Sequence, residues 1–160
     1  PINSLLNLLF TIIFAAKLVI NMKVLILNGP NLNLTGERET KLYGTLSFED
    51  YLDELRNRFP NMDISYDQSN IEGEIINKMQ EANFEYNSII LNAGAYTHTS
   101  VAIGDAVKSL EIPVVEVHMS NIFSRETFRH TSHIAPYCVG SISGFGMDSY
   151  RLALAYFRST

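Results

Sequence analysis

The chain has 160 residues, 46% hydrophobic and 18% charged, which fits one globular domain and excludes a disordered, collagen-like or multi-domain protein. Twelve Lys and Arg against seventeen Asp and Glu leave a net charge of −5, so no basic stripe can neutralise a phosphate backbone and nucleic acid is not an expected partner. The single cysteine, Cys138, excludes an intrachain disulfide and, between Tyr137 and Val139, reads as a buried core thiol.

Residues 1–21 differ in composition from the rest. Lys17 is their only charge, and the apolar run from Leu5 to Ile20 is shorter than the ~20 residues a membrane span needs. It also lacks the basic start of a secretory signal. The expectation is a leader outside the folded unit, one domain over residues 22–160, no membrane partner and a cytoplasmic location.

From Met22 onward, short apolar runs alternate with amphipathic stretches. Lys23–Asn28, Met62–Gln68, Ser88–Asn92, Val114–His118 and Cys138–Ile142 read as strands. Ser47 with Asp50 three residues on resembles a capping box. Phe48, Leu52, Leu55 and Phe59 then recur at helical spacing until Pro60 ends the run. Glu72–Asn83, Val101–Leu110 and Asp148–Arg158 are the other expected helices, and Arg125–Ile134 fits neither pattern cleanly. Five strands separated by helices, with largely β-branched and apolar cores, predict an α/β fold: a five-stranded parallel sheet covered on both faces.

Ligands of such sheets sit beyond the carboxyl ends of the strands, where the strand order reverses. Those ends carry Asn28-Gly29-Pro30-Asn31, then Asn92-Ala93-Gly94 with Thr97-His98, then Glu116-Val117-His118-Met119-Ser120-Asn121. The segment from Gly29 to Leu46 is much longer than the ~2–6 residues of an ordinary βα connection, as lids and binding loops are. It contains Arg38, Tyr43 and Gly44.

With these blocks in this order, the sequence resembles the type II 3-dehydroquinate dehydratases, flavodoxin-like enzymes of the shikimate and quinate pathways. The match runs through Leu27–Leu34, Gly36-x-Arg38-Glu39, Tyr43-Gly44, Leu91–Gly94, Thr97–Ser100, Glu116–His118 with Ser120-Asn121, Arg125 and Phe128-Arg129. Thr40 stands where the family commonly has proline, which frees φ in the loop.

The resemblance implies a flavodoxin-like three-layer fold and dehydration of 3-dehydroquinate to 3-dehydroshikimate through an enolate. It implies no cofactor and no metal, and a homo-oligomer, a dodecamer built from trimers. Tyr43 is then the proton acceptor, with the Arg38 guanidinium lowering its pKa; unassisted, a phenol near pKa ~10 is a poor base. His118 is the proton donor to the departing hydroxyl, Glu116 orients its imidazole from the same side of the strand, and Asn31 holds a water against the enolate oxygen. Asn92 and the backbone amides of Met119 and Ser120 take the carboxylate, and His98 and Arg129 take the ring hydroxyls. Asp105 reaches a neighbouring subunit's site.

Two other readings compete. Away from the family match, Tyr43, His118, Asn31 and Asp105 are each ordinary structural residues. A glycine-containing loop after the first strand is also where flavodoxin-like proteins hold FMN, although Gly29 and Gly36 fit neither a dinucleotide fingerprint nor a Walker loop. Four histidines and a lone cysteine show no zinc spacing.

Overall fold

A computed structural model describes residues 21–36 and 47–160. Residues 1–20 of the expected leader 1–21, and Arg38, Thr40, Lys41 and Tyr43, lie outside them. The described elements in chain order are β1 Met22–Asn28, α1 Phe48–Arg58, β2 Met62–Gln68, α2 Glu72–Glu85, β3 Ser88–Asn92, α3 Val101–Ser109, β4 Val114–His118, β5 Gly140–Ser143 and α4 Asp148–Ser159. All sheet pairings are parallel and the strand order is β2-β1-β3-β4-β5.

Alternation along β1 shows why the sheet is buried on both faces. Val24 and Ile26 join Phe48, Leu55, Tyr150, Leu154 and Phe157 under α1 and α4. Leu25 and Leu27 point the other way and meet Ile75, Met79, Ile103 and Val107 under α2 and α3. Successive side chains of a strand face opposite sides, so an unbroken apolar run is what a three-layer sandwich requires.

Helix α1 starts as the sequence indicates, with a variation. Ser47 Oγ accepts the Asp50 N–H at 3.1 Å, but the Asp50 carboxylate takes the Ser47 hydroxyl at 2.7 Å, one atom short of the backbone N–H of a full capping box. Phe59 closes the helix ahead of Pro60. Ser100 caps α3 in the same way, accepting from Ile103 N–H at 2.9 Å.

Two expectations shift and a third holds. β5 runs from Gly140 to Ser143, displaced toward the C-terminus, because Pro136 and the turn Ala135–Tyr137 keep Cys138 out of the ladder. Cys138 is half-buried, and burial first, then the Glu116 charge, push its thiol up to about 12, which leaves it inert as a nucleophile. The ambiguous stretch is neither helix nor strand: short 3-10 turns at Ile122–Ser124 and Thr127–His130 fold it over the end of β4.

Candidate active site

In this strand order the chain leaves β1 toward β2 on one side and leaves β3 toward β4 on the other. A crevice opens between the two departing loops. Register puts Asn28 directly beside Asn92 across β1 and β3; Asn92 lines the crevice and Asn28 is buried beside it. Gly29 sits at the closest approach of the two loops. A Cβ there would lie 2.5 Å from the Ala93 carbonyl oxygen, and the Gly29 N–H donates to the Asn92 carbonyl at 2.7 Å.

A cleft of about 170 Å3 fills this crevice, lined by Pro30, Asn31, Leu32, Leu34, Thr35, Asn92, Gly94, Ala95, His98, His118, Met119, Ser120, Ile122, Arg125 and Arg129. Seven of the predicted site residues with described side chains are therefore brought together: Asn31, Asn92, His98, His118, Met119, Ser120 and Arg129. Asp105 is not. It lies exposed on α3, off the lining.

Asn31 adopts φ 67°, in the left-handed region that asparagine tolerates better than most side chains. Its N–H donates to Asn70 Oδ1 at 3.0 Å, and Gln68 Nε2 donates both to Asn70 Oδ1 at 3.0 Å and to the Gly29 carbonyl at 3.1 Å. Being a turn residue and lining the cleft are thus two properties of one residue.

The most buried charge of the site is Glu116, 1% exposed. Its Oε1 accepts the Ser132 hydroxyl at 2.7 Å and its Oε2 the Ser141 hydroxyl at 2.8 Å. His118 Nε2 stands 3.3 Å from Oε1, at ion-pair distance but without hydrogen-bond alignment, so the contact is chiefly electrostatic. Desolvation alone would push the Glu116 pKa up. The His118 contact and the two serine hydroxyls outweigh it and hold the carboxyl below its ordinary value.

That shift has a signed consequence for folding. A carboxyl depressed in the folded state adds stability that is fully present above its ordinary pKa and is lost as pH falls through the folded value. Glu116→Gln is expected to cost about 1–3 kcal/mol at neutral pH, the range for a buried hydrogen bond left unmade. The gap to wild type should begin to narrow only below pH ~4, the ordinary carboxylate value, and should close as pH falls further through the depressed folded value. Urea unfolding at pH 7 and pH 3 checks this, and a gap independent of pH would contradict it.

His98 stacks against His118 with ring centroids 6.0 Å apart. Its Nδ1 lies 2.8 Å from the Thr131 carbonyl, a contact that needs the proton on Nδ1 and leaves Nε2 as an acceptor. Burial lowers its pKa, reinforced by His118 and Arg129 and opposed by Thr131, so it is neutral at physiological pH. Arg129 Nε donates to Glu126 Oε2 at 2.8 Å and its guanidinium lies over the Phe128 ring, while Arg125 reaches Ser120 Oγ at 3.3 Å. Two guanidiniums on one wall make the cleft a site for an anion.

Sequence reasoning missed Ser132, Ser141 and Arg125 as site residues. Ser141 is the register partner of Glu116, so only knowledge of which strand neighbours β4 would have found it. Arg125 stood in the quoted motif and its place in the cleft was readable there.

Strand order, crevice and lining define the class: a doubly wound α/β protein whose switch-point cleft combines a carboxylate-backed histidine with amides and guanidiniums suited to a small anionic substrate. The chain matches the family model described as dehydroquinase class II over residues 22–158, and it belongs to that family. A 3-dehydroquinate dehydratase of an Exiguobacterium species is 52% identical over 83% of this chain and 92% of its own length. One from Caldicellulosiruptor bescii is 54% identical over 82% and 93%. Among solved structures, the type II dehydroquinase of Propionibacterium acnes superposes with a TM-score of 0.82 at 35% identity, covering 88% of this chain and 99% of its own. That of Butyrivibrio crossotus gives 0.81 at 45%, covering 86% and 98%. The fold is accordingly the flavodoxin-like sandwich expected from the sequence.

Proposed function

We propose that this chain dehydrates 3-dehydroquinate to 3-dehydroshikimate by proton abstraction to an enolate followed by acid-assisted loss of water, without a covalent intermediate. The reaction itself follows from family membership and from the dehydratases it is similar to. The observation that carries the proposed acid is His118, buried at the cleft wall against the ionised Glu116. Membership in this family disfavours an FMN- or nucleotide-binding module.

In the proposed sequence, tyrosinate at Tyr43, favoured by the Arg38 cation, takes the proton from C2 of the substrate. The C2–H electrons move into the C2–C3 bond, and negative charge gathers on the C3 oxygen, where a water held by Asn31 donates to it. The enolate then reforms the C3 carbonyl, its electrons make the C1–C2 double bond, and the C1–O bond breaks. The departing hydroxyl takes the His118 proton and leaves as water. Glu116 keeps the imidazole oriented. The substrate carboxylate is held by Asn92 with the Met119 and Ser120 amides, the ring hydroxyls by His98 and Arg129, and Asp105 completes the site of a neighbouring copy in a dodecamer of trimers.

The residue range of the family match supports a domain of residues 22–160 preceded by an apolar leader that takes no part in the chemistry. No described helix is long and apolar enough to cross a membrane, and we place the enzyme in the cytoplasm.

The other chemical route to this dehydration forms an imine between a lysine and the ketone. Of the five lysines, Lys17 is in the leader, Lys23 opens β1, Lys78 and Lys108 lie on α2 and α3, and Lys41 sits on the loop carrying Tyr43. Activity should survive borohydride in the presence of substrate, with no mass increase of the protein. A substrate-dependent trapped adduct with inactivation would overturn the Tyr43 assignment.

A further inference from the structure

One buried group at the cleft has no part in the chemistry above. The Tyr150 phenol, in the first turn of α4, is completely buried, and its hydroxyl stands between the asparagines that end β1 and β3. The hydroxyl donates to Asn28 Oδ1 at 2.8 Å and accepts from Asn92 Nδ2 at 2.7 Å. Directions follow by elimination. The Gly94 N–H can only donate, and it meets Asn92 Oδ1 at 3.3 Å, so the Asn92 amide nitrogen must face Tyr150. The phenol then accepts on that side and spends its single proton on Asn28.

Asn92 Nδ2 carries two hydrogens. One is fixed on Tyr150, and the planar geometry of the amide then aims the other in a set direction from a residue that lines the cleft. Tyr150 is itself held to the acid side of the site. Ser149 Oγ donates to the His118 carbonyl at 3.0 Å, Gly144 N–H to the same carbonyl at 3.3 Å, and Gly146 N–H to that of Met119 at 2.9 Å. The start of α4 thus ties together the ends of β1, β3 and β4. Burial also drives the phenol pKa far above the physiological range, so the hydroxyl keeps both bonds at every working pH.

We propose that Tyr150 is a positioning residue for the substrate carboxylate: it locks the Asn92 amide, before substrate arrives, with its second N–H presented to that anion. The inference rests on the proposed carboxylate role of Asn92. A preset donor binds an anion without first reorganising, and one hydrogen bond to a charged group contributes on the order of tenfold in affinity.

The test is a double-mutant cycle of Tyr150→Phe and Asn92→Ala in the full chain, reading KM and kcat for 3-dehydroquinate beside thermal midpoint. Tyr150→Phe should raise KM on the order of tenfold with kcat within about twofold, as expected for loss of one charged hydrogen bond. In the Asn92→Ala background it should leave KM unchanged, because nothing remains to position. A lowered midpoint with wild-type KM, or the same KM increment in both backgrounds, overturns the role of Tyr150 while the Asn92 reading stands. An Asn92→Ala enzyme with unchanged KM overturns that reading and this inference with it. Should Tyr150→Phe not fold, Asn28→Ser asks the question from the other end by loosening the hydroxyl. A severalfold rise in KM at preserved kcat supports the proposal, and an unchanged KM overturns it.

Discussion

Tyr43→Phe should lower kcat for 3-dehydroquinate by about 10²–10⁴-fold, the contribution of a positioned general base, while changing KM little. The substitution deletes one oxygen and almost no volume, so neither folding nor carboxylate binding is expected to suffer. The base is the step most dependent on its surroundings. A phenol ionises near pH ~10, and without a cation beside it only about one molecule in a thousand is tyrosinate at neutral pH. Arg38, five residues earlier in sequence, is the charge assigned to correct this. Steady-state kinetics on the purified variant decide the matter, and retention of more than about a tenth of kcat would remove Tyr43 from the mechanism.

His118→Gln is expected to lower kcat by a similar ~10²–10⁴-fold, since hydroxide is a poor leaving group unless it departs as water. Glutamine keeps polarity and comparable volume but has no proton to give. The two variants should then differ in a way that kcat alone does not show. With the base intact, the His118→Gln enzyme still forms the enolate reversibly, so 3-dehydroquinate incubated with it in deuterium oxide should gain deuterium at C2 without losing water. Tyr43→Phe should abolish both the exchange and the elimination. Mass spectrometry of recovered substrate reads the difference. Exchange retained in Tyr43→Phe, or lost in His118→Gln, would reverse the two assignments.

The acid side of this scheme was legible in the sequence for a simple reason. Glu116 and His118 are two apart in a strand, so the pleat puts them on one side whatever the rest of the fold does. What the sequence could not display was how that carboxylate is kept charged at 1% exposure, because Ser132 and Ser141 arrive from a turn and a strand far along the chain. Tyr150 was hidden differently. With Ala153, Leu154 and Phe157 it forms the apolar face of α4, and a tyrosine in that pattern reads as core packing. Only the register that sets Asn28 beside Asn92 gives its hydroxyl something to join.

Element positions were readable wherever periodicity was long. The β1, β2, β3 and β4 runs and all four described helices match to within two residues of their expected ends. β5 also lies within two residues of its expected ends, although it is a four-residue strand with Gly140, Ser141 and Ser143 in it, where neither apolar alternation nor β-branching marks the register. The segment between β4 and β5 carries Arg125 at the end of one 3-10 turn and Arg129 within the next, and the three-residue period of such turns has no lasting apolar signature. Loops of this kind bear much of the binding surface and are held by side-chain bonds, here Asn121 Oδ1 accepting from the Phe123 N–H at 3.1 Å.

Elimination of water from 3-dehydroquinate can be read by mixing the purified protein with that substrate and following ultraviolet absorbance of the conjugated enone. Absorbance should rise only when the protein is present, with 3-dehydroshikimate recovered as the product and the rise suppressed in Tyr43→Phe. Absorbance that stays flat with folded protein and intact 3-dehydroquinate would contradict the proposed elimination.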